Sequence, residues 1–371
     1  MPCAFILLTA KNASNKNSFL IINLLILVNL NNLNLSKKII TFINTITMKR
    51  RTIIKTLASA SFGGPILAHT KFENSQNRFL NKIKHNPIGV STYSFWQFNG
   101  RETPIDYCID KAAEFGFDGV ELLLIQMESE ENSYLQKIKK RAFDSGLDLM
   151  GLSTHQSFVS PNPQKRKENI DLTKHQIEIA HSLGIPTIRI NTGRWGTTKP
   201  TDNKSEFDVL MDNKGVESVI DGYTEDEGFK WVIDSIAECV PTAEKNGVVL
   251  GLENHWGLGL TSKGVMKIVN AINSPWLSVT LDTGNFFDNR EEQIKDLAPH
   301  TCLIQAKTYF GGAKWPAFNE INIDYASIGK LMRENDYRGY ISLEFEGNED
   351  ANTAVPKSLK LLRDSFYYNL G

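Results

Sequence analysis

Cysteine is scarce in this chain, with four residues in 371, far apart and without a CxxC pair. A disulfide framework or a zinc ribbon needs paired thiols, so neither is expected. Net charge is also missing. Lys and Arg number 41 against 42 Asp and Glu, leaving −1. Nothing in that balance calls for nucleic acid or an anionic membrane surface. No GxGxxG follows the first strand-like segment of the globular region, which removes the fingerprint of an open dinucleotide-binding sheet. Of the seven histidines, only His155 and His255 fall at the ends of strand-like segments.

The rest of the composition is that of a soluble α/β protein, 41% hydrophobic and 22% charged. The length allows one large domain with extras or two smaller ones. Residues 1–47 are dominated by Asn, Leu and Ile and show no period that would pack on a core. Met48 then opens Lys49-Arg50-Arg51-Thr52-Ile53-Ile54-Lys55, followed by a mildly apolar stretch to Leu67 and by Ala68. Paired arginines ahead of two apolar residues and a lysine resemble a twin-arginine export signal. The expected organisation is a non-globular extension or misassigned start over 1–47, a signal peptide over 48–68, a linker over 69–86, and a globular domain over 87–371. A periplasmic or otherwise exported protein follows, with no membrane attachment after cleavage.

From Pro87 strands and helices alternate. Strand-like segments at Ile88–Tyr93, Gly119–Leu122, Leu147–Leu152 and Thr187–Asn191 are each followed by an amphipathic helix. Four more end in polar groups: Val248 to Glu253, Leu277 to Asp282, Cys302 to Gln305, and Tyr340 to Glu344. Gly116, Gly146, Gly184 and Gly247 each follow a helical run, where a left-handed residue ends a helix. Eight such units predict a single (β/α)8 barrel. The stretch from Gly193 to Tyr223 is too long for an ordinary connection. It leaves the active-site end of the fourth strand and reads as a pocket lid or a surface loop.

Glu253, Asp282 and Gln305 are separated by 29 and 23 residues, about one strand–helix unit each. With Glu344 they should converge at the C-terminal mouth of the barrel. Three carboxylates at one point repel one another unless protons or a cation neutralise them. A divalent metal held by Glu253, Asp282, Gln305 and Glu344 is the expectation. An all-oxygen set suits Mn²⁺ or Mg²⁺ better than Zn²⁺. Salt bridges to Lys307 or Arg189 are the competing arrangement. Strand period places Gln305 with Lys307, and Glu344 with Glu346, on one face. Trp96, Trp195, Trp256 and Trp315 follow strands one, four, five and seven, where aromatic rings suit the C–H face of a sugar; anchoring a loop or a subunit contact would use them equally.

These motifs resemble the sugar phosphate isomerase/epimerase family, the xylose isomerase-like barrels related to endonuclease IV. Glu253-Asn254-His255, Asp282-Thr283-Gly284-Asn285 and Glu344-Phe345-Glu346-Gly347 match its strands five, six and eight. Its seventh strand usually ends His-x-Lys-Asp, whereas this chain has Gln305-Ala306-Lys307-Thr308. The resemblance implies proton abstraction next to a sugar carbonyl through an enediolate, with Glu253 and Glu344 as acid and base and Lys307 at the oxyanion. Substrate contacts are implied for Glu121, His155, Arg189, Asn254, His255, Trp256, Asn285 and Glu346, with Trp96, Trp195 and Trp315 at the mouth. Export favours a free sugar or glycoside over a phosphorylated one, and with it a lyase or hydratase on 3-keto-glycosides as the alternative. The Gln305 departure also admits a carbohydrate-binding barrel without turnover. DNA repair is set aside, because three zinc ions need more histidines and a phosphate-tracking surface should be basic. A homo-oligomer is compatible with the sequence.

Overall fold

The computed structural model describes residues 84–96, 103–319 and 322–368. The expected extension, the signal segment and most of the linker lie outside the described residues. Short runs rich in Val, Ile and Leu form the strands, and their central residues are buried from both faces, as in parallel sheets covered by helices. In chain order they are β1 (Ile88–Ser91), β2 (Gly119–Leu123), β3 (Asp148–Ser153), β4 (Thr187–Ile190), β5 (Val249–Glu253), β6 (Leu277–Asp282), β7 (Thr301–Thr308) and β8 (Ile341–Phe345). Each pairs in parallel with the next, and β8 closes on β1, so the eight form one barrel. The predicted (β/α)8 architecture is the observed one. A two-residue strand, Lys84–His85, pairs antiparallel with Tyr367–Tyr368.

The outer ring comprises α1 (Ile105–Phe115), α2 (Asn132–Asp144), α3 (Pro163–Leu183), α4 (Glu206–Asp212), α5 (Glu225–Asn246), α6 (Ser262–Ile272), α7 (Arg290–Leu297), α8 (Tyr325–Glu334) and α9 (Ala351–Phe366). Gly116, Gly184 and Gly247 end α1, α3 and α5 in the left-handed region, which a residue without Cβ adopts without strain. Inside the long β4–α5 connection, α4 is a helix the hydrophobic pattern does not reveal. It is too short to show a period. Its start is fixed by a capping box in which Ser205 accepts from the Asp208 amide and Asp208 accepts from the Ser205 amide, satisfying two otherwise orphaned donors.

Near the end of the ring α8 packs against α9. A Cβ added at Gly329 of α8 would lie 2.3 Å from the Ser365 carbonyl oxygen of α9, a backbone atom that cannot swing away. Gly329→Ala is expected to cost about 1–3 kcal/mol of stability, read as a lower urea midpoint at unchanged m-value. An unchanged midpoint would show that the two helices are free to separate.

Candidate active site

At the barrel mouth the inward residues of β7 and β8 lie in register: Gln305 beside Ser342, and Lys307 beside Glu344. Gln305 sits on the floor and is fully buried. Its Nε2 group donates to Glu121 Oε1 at 2.9 Å, Glu344 Oε1 at 3.1 Å and Ser153 Oγ at 3.2 Å. Ser153 and Ser342 donate to the two oxygens of Glu121. In this arrangement the two hydrogens of the NH₂ end are shared among Glu121, Glu344 and Ser153, and the amide oxygen has no donor.

One layer above, Lys307 carries the charge of the site. Its ammonium lies 2.6 Å from Glu346 Oε1, 2.7 Å from Glu344 Oε2 and 3.5 Å from Asp282 Oδ2. Burial opposes its charge, but Glu344, Glu346 and Asp282 outweigh that and hold its pKa well above the ordinary value. The Lys307 backbone is pinned as well, its amide donating to Thr283 Oγ1 and its carbonyl accepting from the Tyr325 hydroxyl. Tyr93, which the sequence reading named only as the end of the first strand, donates to Glu346 at 2.8 Å and places its ring 5.3 Å from the ammonium.

On the facing wall Glu253 pairs with Arg189 at 3.1 Å and accepts from Asn285 Nδ2 at 3.2 Å. Arg189 also reaches Ser153 and His155. Burial pushes Glu253 up to about 8, with Arg189 pulling the other way, and raises Asp282 to about 7 against the pull of Lys307. Burial and then Arg189 hold both His155 and His255 below the usual imidazole range.

These groups line a cavity of about 320 Å³. Glu253, Lys307, Glu344, Glu346, Arg189 and Asn285 form its polar lower half, with His155 and His255 on the wall. The upper half is aromatic. Phe207 of α4 packs edge-on against Trp256 (5.6 Å) and Trp315 (5.3 Å), and Phe318 lies beside Trp315. The lid reading of the long connection thus acquires a residue, Phe207, which the sequence analysis did not name. Its signal was the Ser205–Asp208 capping box.

Other expectations fall elsewhere in the structure. Asn254 does not line the cavity; its amide exchanges two 2.8 Å hydrogen bonds with the Asp282 backbone and ties the end of β5 to the end of β6. Glu121, Asp282 and Gln305 lie beneath the cavity wall. Trp195 is buried against Trp231, 6.4 Å between ring centres, and covers Gly228, so it anchors the connection. The side chain of Trp96 lies outside the described residues.

The expected metal ligands are brought into one neighbourhood, but they do not fit a divalent ion. Among the described residues no three His, Cys, Asp or Glu side chains are placed to hold one. Glu344 has one oxygen on Gln305 and the other beside Lys307, and Glu253 accepts from Asn285 at Oε1 while Oε2 faces Arg189 as an ion pair. Gln305 turns donor hydrogens, not its oxygen, toward the carboxyl groups. Glu253 Oε2, Asp282 Oδ2 and Gln305 Oε1 have no hydrogen-bond donor, but Arg189 lies 3.1 Å from the first and Lys307 3.5 Å from the second, so each of these carboxylate oxygens already has a cation beside it. The physical reason is Lys307, whose ammonium occupies the space among the carboxylates.

Residues 109–365 match the family described as xylose isomerase-like TIM barrels. This chain belongs to that family. The xylose isomerase-like barrel is 23% identical over 269 residues to an uncharacterized protein of Methanocaldococcus jannaschii, covering 69% of this chain and 83% of that one. Among solved structures it resembles 3-keto-D-glucoside 4-epimerase from E. coli, with a TM-score of 0.58 and 17% identity over 75% of this chain and 99% of that chain. It also resembles D-psicose 3-epimerase from Clostridium cellulolyticum H10, with a TM-score of 0.59 and 16% identity over 76% and 99%. Identities this low carry the fold alone.

The position of Asn254 in the barrel generates a test. Asn254→Ala strands a buried carbonyl and amide of Asp282, so it should cost about 1–3 kcal/mol for each group left unpaired. Denaturation measures that loss. A rise in a ligand's dissociation constant with no loss of stability would instead make Asn254 a ligand contact.

Proposed function

We propose that this barrel is a sugar isomerase or epimerase that moves a proton beside a carbonyl. The observation that carries the reading is a pair of buried carboxyl groups, Glu253 on β5 and Glu344 on β8, lining one cavity with an ammonium between the strands that bear them. β5 and β8 stand three strands apart in a ring of eight, so the two groups approach a bound sugar from different sides. One carboxylate takes the proton from the carbon next to the carbonyl. The C–H electrons move into the new carbon–carbon double bond, and the carbonyl oxygen becomes an enediolate oxygen that accepts from Lys307. The other carboxyl group returns a proton to the opposite face, giving epimerisation; return to the neighbouring carbon gives isomerisation. Burial raises Glu253 toward neutral pH, the range in which a carboxyl group both accepts and gives a proton efficiently.

The substrate class follows from the same lining. Its two strong cations, Arg189 and Lys307, are engaged by Glu253 and by Glu344 and Glu346. A phosphate would have to displace one of these partners, so a non-phosphorylated sugar fits better. The aromatic upper half favours a second reading, a lyase or hydratase on 3-keto-glycosides. Rings at Phe207, Trp256 and Trp315 would face the group attached to the sugar, and the same proton removal would expel a leaving group on the β carbon. Export through the twin-arginine-like segment is part of the proposal and agrees with a substrate lacking phosphate.

Incubation with a ketohexose and with a 3-keto-glucoside in deuterium oxide distinguishes the readings. Deuterium in an isomer or epimer supports the first and released aglycone the second. No exchange into either would leave a carbohydrate-binding barrel. Glu253→Gln and Glu344→Gln are each expected to lower turnover about 10²-fold or more with an unchanged circular dichroism spectrum; full turnover in either removes that residue from the proton transfer. For export, N-terminal sequencing of the native protein should find a mature start near residue 69, and a start before residue 60 would end that part of the proposal.

A further inference from the structure

We propose that the Lys307 ammonium is the resident cation of this site, neutralising the strand-end carboxylates in place of a divalent ion, so that the protein carries out its chemistry without metal. The chemical role assigned to the site rests on the reading above; the claim about the cation does not.

Three independent features place the positive charge on the protein. The first is contact. Lys307 Nζ lies within 3.5 Å of Asp282 at the end of β6 and of Glu344 and Glu346 at the end of β8. A divalent ion shared by Asp282 and Glu344 would have to sit beside that ammonium, and like charges at such range repel strongly where water is excluded. The second is Gln305. An imidazole at this strand position would present a lone pair, whereas the Gln305 NH₂ group donates to Glu121, Glu344 and Ser153. Those hydrogens face the carboxyl groups a metal would need. The third is rigidity. Thr283 and Tyr325 hold the Lys307 backbone, while Tyr93 ties down Glu346 and faces the ammonium. The lysine is built into its position and has no slack with which to yield to an incoming ion.

The arrangement has a chemical consequence. An ammonium offers three N–H donors, and two are directed at Glu344 and Glu346. The third is available for the oxygen that becomes negative when the carbon proton leaves. The site thereby supplies by hydrogen bonding the stabilisation that a Lewis acid gives elsewhere. Lys307 gives up no proton in the step: the carbon proton goes to a carboxylate and returns from a carboxyl group.

Elemental analysis of the full-length protein as purified, and calorimetric titration with Mn²⁺, Mg²⁺ and Zn²⁺, test the inference without any substrate. The expected result is far less than one bound metal per chain and no saturable binding heat. Lys307→Ala removes the internal cation and leaves Asp282, Glu344 and Glu346 around a vacated space. This variant should bind Mn²⁺ at least about tenfold more tightly than the wild type, because affinity at oxygen sites follows uncompensated ligand charge. One tightly held equivalent of metal in the wild type would overturn the inference whatever the fate of the variant. So would equal, weak Mn²⁺ binding by wild type and a folded Lys307→Ala. Deuterium exchange into a ketose that persists in excess chelator supports it, and exchange that returns only with added metal refutes it. If no sugar exchanges under any condition, the functional reading fails, and the metal titration still judges Lys307.

Discussion

The site depends on how five buried carboxyl groups coexist at the mouth of one barrel. Glu121, Glu253, Asp282, Glu344 and Glu346 are all nearly inaccessible to water, and an ionised carboxylate without a partner is costly to bury. Arg189 offsets one wall and Lys307 the other, while serine hydroxyls and the Gln305 amide satisfy the floor. Removing either cation would leave excess negative charge with no solvent to absorb it. Burial lifts Glu253 and Asp282 toward neutrality, against the pull of Arg189 and Lys307.

The barrel makes this compensation rigid. Neighbouring strand ends hold Gln305 beside Ser342 and Lys307 beside Glu344, and the Asn254 clamp fixes the ends of β5 and β6. Outside the strands, Tyr325 of α8 braces the Lys307 carbonyl. Above the polar floor the long β4–α5 connection contributes α4 and its Phe207, closing an aromatic collar. Under the proposed function, a pocket charged below and aromatic above would orient a polyol with its carbonyl down and its less polar end toward the mouth.

Several site residues were legible from local pattern alone. An apolar run that stops abruptly at Glu253, Asp282 or Glu344 marks a buried parallel strand delivering a polar group to the C-terminal face. Period two then sets Lys307 on the face of Gln305. Asn254 reads as a ligand contact because an amide next to a strand-end carboxylate looks like one, whereas only the tertiary structure shows its side chain hydrogen-bonded to the Asp282 backbone. For Trp195 the sequence left a substrate contact and a loop anchor equally open. Sequence places it after a strand, but the side on which its ring packs is decided by α5, whose Gly228 leaves room for it. Tyr93 and Phe207 belong to short elements with no period to betray them.

By itself the sequence determined the eightfold alternation, the barrel, the strand ends that carry chemistry and the unusual glutamine on the seventh strand. Each of these is written in spacing or in residue type along the chain. Only the tertiary structure decided what the converging carboxylates converge upon. Spacing brings acids together but does not say whether a metal, protons or a side chain neutralises them, because the answer depends on distances between residues far apart in sequence. The fold puts Lys307 within reach of Asp282, Glu344 and Glu346 and turns the Gln305 amide hydrogens toward Glu344. That local electrostatic balance, set across three strands, distinguishes this site from the one its motifs lead a reader to expect.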